Sequence, residues 1–233
     1  MREIVFDTET TGLQPENGDR LVEIGAIELF NHIPTGRTFH EYINPERPVP
    51  AEVVAIHGLD DAFLRDKPVF SRIVDDFLDF IGKDGMLVAH NAEFDLRFLN
   101  AELRRAARPL LDRSRIVDSL ALARDRFPGA NNTLDGLCRR FGIDNSGRVL
   151  HGALLDSELL AEVYLELIGG RQPGLELRSG SRDGAQADNA VATARRARPR
   201  KLAPRLTEAE LLAHGEFVDA MGENALWRRF STS

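Results

Sequence analysis

The period of the apolar positions changes several times along the chain, and each change marks an element. Residues 3–6 and Leu21–Phe30 are rich in strand formers; within the second, Leu21, Glu23 and Gly25 alternate with Val22, Ile24 and Ala26. A third strand is predicted over 38–43, and Pro15, Asn17 and Gly18 make residues 12–19 a turn-rich connection. The spacing then becomes helical. Phe70, Ile73, Val74, Phe77, Leu78 and Ile81 form one apolar stripe over Phe70–Ile81. Met86–Ala89 reads as a short buried strand, and Ala92–Arg105 as a helix carrying Phe94, Leu96, Phe98, Leu99 and Leu103. Leu134, Leu137, Cys138 and Phe141 form another helical face, and a long helix over 153–168 stops at Gly169-Gly170. Strands first, then helices alternating with short strands, predict an α/β domain with a mixed sheet.

Periodicity disappears over 178–205, which is rich in Arg, Ala, Gly, Ser and Asp and predicts a flexible linker. It returns at Leu206. Thr207 and Glu210 have the spacing of a capping box, and Leu206 with Leu211 that of a hydrophobic staple. A short helix should follow, ending near Met221-Gly222, before a cluster that holds Leu226, Trp227 and Phe230. The expected organisation is a catalytic domain over 1–170, a peptide over 171–177, a basic linker over 178–205 and a terminal segment over 206–233.

A chain of 233 residues, 42% hydrophobic and 29% charged, is long enough for one sizeable core plus an appendage. No apolar run approaches the length of a membrane helix, and the acidic start does not resemble a secretory signal. One cysteine, Cys138, excludes an intrachain disulfide and reads as a core residue. A cytoplasmic protein without membrane contact is expected. Charge is uneven: residues 1–177 carry 20 Lys and Arg against 30 Asp and Glu, a net of −10, whereas 178–205 carry 8 against 2, a net of +6. So acidic a main domain would need bound cations to approach nucleic acid.

Candidate chemistry lies in three places. The first strand runs into Asp7-Thr8-Glu9, whose two carboxylates are two apart and share a face in extended chain. Such a pair is costly unless one is protonated or a cation intervenes. In His90-Asn91-Ala92-Glu93-Phe94-Asp95 a strand hands over to a helix, with Asp95 in the first turn. An acid there also suits the helix dipole, a role that fits Glu93 better. In His151-Gly152-Ala153-Leu154-Leu155-Asp156 an imidazole precedes a helix whose start carries an acid. The two can face one cavity only if His151 lies on the loop side of the helix start.

Taken together and in this order, the three segments resemble the DEDDh family of 3′→5′ exonucleases. Phe6-Asp7-Thr8-Glu9-Thr10-Thr11-Gly12, His90-Asn91-x-x-Phe94-Asp95 and His151-x-x-x-x-Asp156 match that family's motifs across about residues 3–168. With Ile56-His57-Gly58-Leu59, the pattern is most similar to the proofreading branch, the epsilon subunits of bacterial DNA polymerase III. The resemblance implies a ribonuclease H-like fold, a mixed central sheet flanked by helices. It implies Asp7, Glu9, Asp95 and Asp156 as ligands of two divalent cations, Mg2+ or Mn2+, and His151 as general base. It places Thr10, Ile56, His57 and Phe94 around the terminal nucleotide; for Phe94 and Ile56 plain core packing is nearly as good a reading. The expected substrate is a single-stranded or frayed DNA 3′ end, released as nucleoside 5′-monophosphates.

The resemblance also implies partners: the DNA polymerase III alpha catalytic subunit, a small theta-like subunit and the sliding clamp. Leu226, Trp227 and Phe230 read as a polymerase anchor, or alternatively as an intramolecular cap. Gln172, Leu175 and Leu177 have the order of clamp-docking peptides, and read equally as a tail packed on the domain. Two other functions compete: a free-standing DEDDh exonuclease acting on RNA or short oligonucleotides, and a non-catalytic stabilising subunit.

Overall fold

The computed structural model describes residues 1–169 and 207–222, which fall into two compact units, Met1–Arg178 and Ser179–Ser233. The peptide Gln172, Leu175 and Leu177, the linker 178–205 and the cluster Leu226, Trp227 and Phe230 lie outside the described residues.

The first unit is organised by a five-stranded mixed sheet. β1 (Arg2–Thr10), β2 (Leu21–Phe30) and β3 (Ile33–Tyr42) pair antiparallel, while β4 (Met86–Ala89) and β5 (Ile116–Asp118) run parallel to β1, in the order β3-β2-β1-β4-β5. β3 begins five residues before the expected strand. Its connection to β2 is the pair Asn31 and His32, both at positive φ (49° and 66°), the conformation of a tight hairpin turn. His in the place usually taken by Gly concealed that turn in the sequence.

Side chains alternate between the two faces of the sheet, and each face is covered. Ile4, Phe6, Ile24, Ala26, Leu87 and Ala89 pack on α3 (Phe70–Ile81) and α4 (Ala92–Arg105) through Phe70, Phe77, Phe98 and Leu99. On the other face Val5, Ile27, Leu29 and Val88 meet Leu160, Ala161 and Tyr164 of α7 (Ala153–Leu167). Covered on both faces, β2 is buried at every position but Phe30. Four short helices complete the unit: α1 (Ala51–His57), α2 (Asp61–Leu64), α5 (Ser119–Arg126) and α6 (Leu134–Phe141). Cys138 is fully buried with Leu137, Leu159 and Val163, a core residue.

Gly25 sets how closely α7 approaches. A Cβ there would stand 2.2 Å from the backbone of Ala153 and Leu154, so only glycine lets the helix start lie on β2. The Ser157 hydroxyl donates to the Gly25 carbonyl (2.9 Å) and holds that contact. Gly25 pairs with Asp7 across the strands, so the α7 start is brought beside the end of β1.

In the second unit, α8 (Glu208–Ala220) begins with the expected capping box: Thr207 Oγ1 accepts from the Glu210 amide, and Glu210 Oε2 from the Thr207 amide. Among the described residues no helix is long and apolar enough to cross a membrane.

Candidate active site

β1 carries Asp7 and Glu9 on its α7 side, while Thr8 points the other way, toward α4. The ladder with β2 slips between Glu9 and Thr10, a bulge that ends regular pairing where the carboxylates emerge. Thr8 donates its hydroxyl to Asp95 Oδ1 (2.6 Å) and so ties β1 to the first turn of α4. That helix starts from Asn91 in the left-handed region (φ 66°), with the Asn91 amide donating to Asp118 Oδ1 (3.0 Å). Asp118 also caps α5 through the Leu120 amide (2.9 Å), which locks the two helix starts together. Asp95 is buried at 3% exposure, whereas Glu93 turns outward to Arg113. The two acids of this helix start therefore divide as the helical geometry suggests: Asp95 faces the cleft and Glu93 the solvent.

Asp156, buried at 2%, enters from the first turn of α7. His151 precedes the helix N-cap Gly152, on the loop side, with Nδ1 3.7 Å from Asp156 Oδ2. Donor atoms of Glu9, His151 and Asp156 lie within 4.8 Å of one another. Asp7, Glu9, Asp95, His151 and Asp156 all line one cleft of about 1050 Å3, together with Thr8, His90, Phe94, the 128–133 loop and the start of α6.

The electrostatics reflect this crowding. Burial pushes the Glu9 carboxyl up to about 8, helped by the neighbouring charges of Asp156, Glu23 and Asp95. Burial also raises Asp95, to about 7, against the hydrogen bond from Thr8. Asp7 is pushed well above the carboxylate range by burial, then by Asp95, Glu9 and Asp156. Such a set favours bound protons or cations, and its hard oxygen donors are suited to Mg2+ or Mn2+.

Of the residues expected around the terminal nucleotide, Phe94 lines the cleft, its ring tilted by 44° against Phe98 at 4.9 Å between ring centres. The other three stand at the margin. Thr10 is buried and donates to the Gly12 carbonyl (2.6 Å). Ile56 is 48% exposed, which excludes core packing for it, and its carbonyl accepts from the His151 amide (3.1 Å). His57 is buried. Its Nδ1 accepts from the Leu59 amide (3.0 Å), so the proton sits on the buried Nε2. Burial lowers its pKa, the Thr10 backbone opposes the shift, and the charge of His151 adds to it.

Three participants have no role that the sequence assigns. Gly25 and Thr8 are described above; the third is Arg148, between α6 and α7. Its guanidinium donates to Asp156 through Nε and Nη2 (Nη2–Oδ2 2.7 Å), to Asp135 Oδ1 (3.0 Å) and to His151 Nδ1 (3.1 Å). A basic residue three positions before His151 was the available signal, but nothing in the sequence shows which way it points.

Known proteins agree with this architecture. The exonuclease (RNase T) family model matches residues 4–164. The DNA polymerase III subunit epsilon of Rickettsia felis is 49% identical over 97% of this chain and 99% of its own length. Its Escherichia coli K12 counterpart is 40% identical over 97% of each. Among solved structures, exonuclease X in complex with 5′ overhanging duplex DNA is 25% identical, with a TM-score of 0.55 over 71% of this chain and 90% of that one. The nuclease domain of 3′hExo, a DEDDh family member bound to rAMP, shares the fold at 18% identity and a TM-score of 0.62, over 72% and 91%. The chain belongs to the exonuclease family and, within it, to the epsilon subunits of DNA polymerase III, the metal-dependent proofreading 3′→5′ exonucleases.

Proposed function

We propose that Asp7, Glu9, Asp95 and Asp156 hold two divalent cations, Mg2+ or Mn2+, at the 3′ end of a DNA strand. The convergence of these four carboxylates on one cleft, with three of them held at raised pKa, carries the reading. When bound, two such ions clamp the attacking and leaving oxygens of an in-line displacement at phosphorus and offset the acidity of the domain. His151, half exposed beside Asp156, accepts the proton of the attacking water. Phe94 offers its ring to the terminal base, while Thr10 at the end of β1 and Ile56 and His57 at the end of α1 border the sugar. The product is a nucleoside 5′-monophosphate. The test is hydrolysis of a primer with a mispaired 3′ terminus: Mg2+ should support release of monophosphates from that end, faster than from a paired terminus. Full activity in EDTA would overturn the reading.

Residues 206–233 are proposed as the tether to the DNA polymerase III alpha catalytic subunit. Supporting this, α8 exposes Leu211, Leu212 and Phe217, with Met221 exposed at its C-cap, and the relatives are named as subunits of that polymerase. Trp227→Ala should weaken co-purification with the catalytic subunit while leaving hydrolysis of free single strands intact; an unchanged dissociation constant would refute it. A theta-like subunit and the sliding clamp are further candidate partners. For the clamp, a peptide spanning 169–180 should bind, and its copy with Gln172, Leu175 and Leu177 changed to Ala should not.

A further inference from the structure

We propose that Arg148 is the resident counter-cation of this site, holding Asp156 until a divalent cation takes its place. The inference rests on the assignment of Asp156 as a metal ligand. Arg148 stands in a turn, its amide donating to the Asn145 carbonyl (3.0 Å), yet its side chain is only 9% exposed. Nε and Nη2 meet the two oxygens of Asp156 side by side, the bidentate fork that matches guanidinium to carboxylate. Both Asp156 oxygens are thereby engaged by a positive group. A divalent cation on the same oxygens would face that charge at close range, so guanidinium and metal compete for one carboxylate.

The arginine has somewhere else to stay. Nη1 is bonded to Asp135, which lies on α6 and is itself held by Asn145 Nδ2 (2.9 Å). Asp135 can therefore keep the guanidinium when Asp156 is given up. The same exchange reaches His151. A guanidinium only donates, so the Nδ1 that meets Nη2 must be the unprotonated nitrogen of the ring, and its lone pair is occupied. Arg148 is thus a positioning residue that touches both Asp156 and His151, and giving up Asp156 changes the placement of the group that holds His151.

The test is Mn2+ binding to the full chain by calorimetry, for wild type, Arg148→Gln, Arg148→Lys and Asp156→Asn, with melting curves in EDTA and in saturating Mn2+. Arg148→Gln should bind Mn2+ about tenfold more tightly than wild type, because the competitor is gone. It should also melt lower in EDTA, a deficit that saturating Mn2+ removes. Arg148→Lys, which keeps a charge without the fork, should fall between the two, and it decides the matter if the Gln variant does not fold in EDTA. A purely structural arginine would do the reverse, its loss loosening the site and weakening Mn2+. Unchanged or weaker affinity in the Arg148 variants, with wild type binding through Asp156, overturns this inference alone. Wild-type affinity in Asp156→Asn would instead overturn the ligand assignment, and this inference with it.

Discussion

The wall of the cleft built by β1, α4 and α7 holds Asp95 and Asp156 almost fully buried, whereas the loop between α6 and α7 leaves His151 half exposed and Val149 at 87%. On the first wall each carboxylate sits on a regular element packed into the sheet core, and Thr8 and Ser157 brace its neighbours. On the second wall the loop is held by backbone bonds from His151 to Ile56 and from Ile143 to Cys138, by Asn145 on Asp135 and by the ion pairs of Arg148. The difference suits the two proposed tasks. Mutually repelling ligands need a stiff frame, because without one they would relax apart. A group that exchanges protons with water needs access to water, and burial would deny it.

Breaking the stiff wall chemically should have the largest effect. Asp7→Ala removes one of the proposed ligands and one of the repelling groups, so hydrolysis of a labelled single strand in Mg2+ should fall to background. The melting temperature in EDTA should not fall, and a large drop there would mean that Asp7 supports the fold instead.

The loop wall should be separable from it. His151→Gln is expected to slow hydrolysis by about 10²–10⁴-fold, the range of a lost general base, with calorimetric Mn2+ affinity retained. Collapse of metal affinity would move His151 to the ligand set and erase the distinction between the walls.

Geometry can be broken without touching a charge. Gly25→Ala forces α7 off β2 and should cost about 1–3 kcal/mol or more in a urea melt, the range for overpacking. Activity should fall with it, since Asp7 and Asp156 would separate. Unchanged stability would show that the α7 start yields more easily than the packing implies.

The smallest effect sharpens the comparison through pH. Glu9, held up to about 8, and Asp95, up to about 7, bind protons in the folded state that the unfolded chain has released above about pH 4.5. Folded protein therefore binds more protons across that window, so stability is full below it and is lost as pH rises through about 7 to 8. Melting in EDTA should accordingly be higher at pH 5.5 than at pH 8.5, and saturating Mg2+ should flatten the slope. A rise in stability with pH would contradict buried, crowded carboxylates.

Long periodic elements were legible in the sequence. Phe70–Ile81, Ala92–Arg105 and the long last helix of the first unit stand where their apolar stripes indicate, and Thr207 and Glu210 do form the box that starts α8. Less visible were α1, α2, β5 and α5, which are too short for a period to establish itself; α5 in particular shows no apolar stripe. The carboxylates and His151 were legible as well, because each belongs to a short segment whose local geometry the sequence dictates: a strand end, a helix start, a loop before a helix.

What brings those segments together is of another kind. Gly25 matters only because the backbone of Ala153 lies against it, Thr8 only because Asp95 lies beyond it, and Arg148 only because its turn aims it at Asp156. Sequence by itself determined which residues have the chemistry and which local conformation presents them, since both depend on near neighbours in the chain. Tertiary structure alone decided which of them meet and which arginine stands among them. A close approach or an ion pair between distant segments depends on how whole elements pack, and leaves no period or spacing in the chain that carries it.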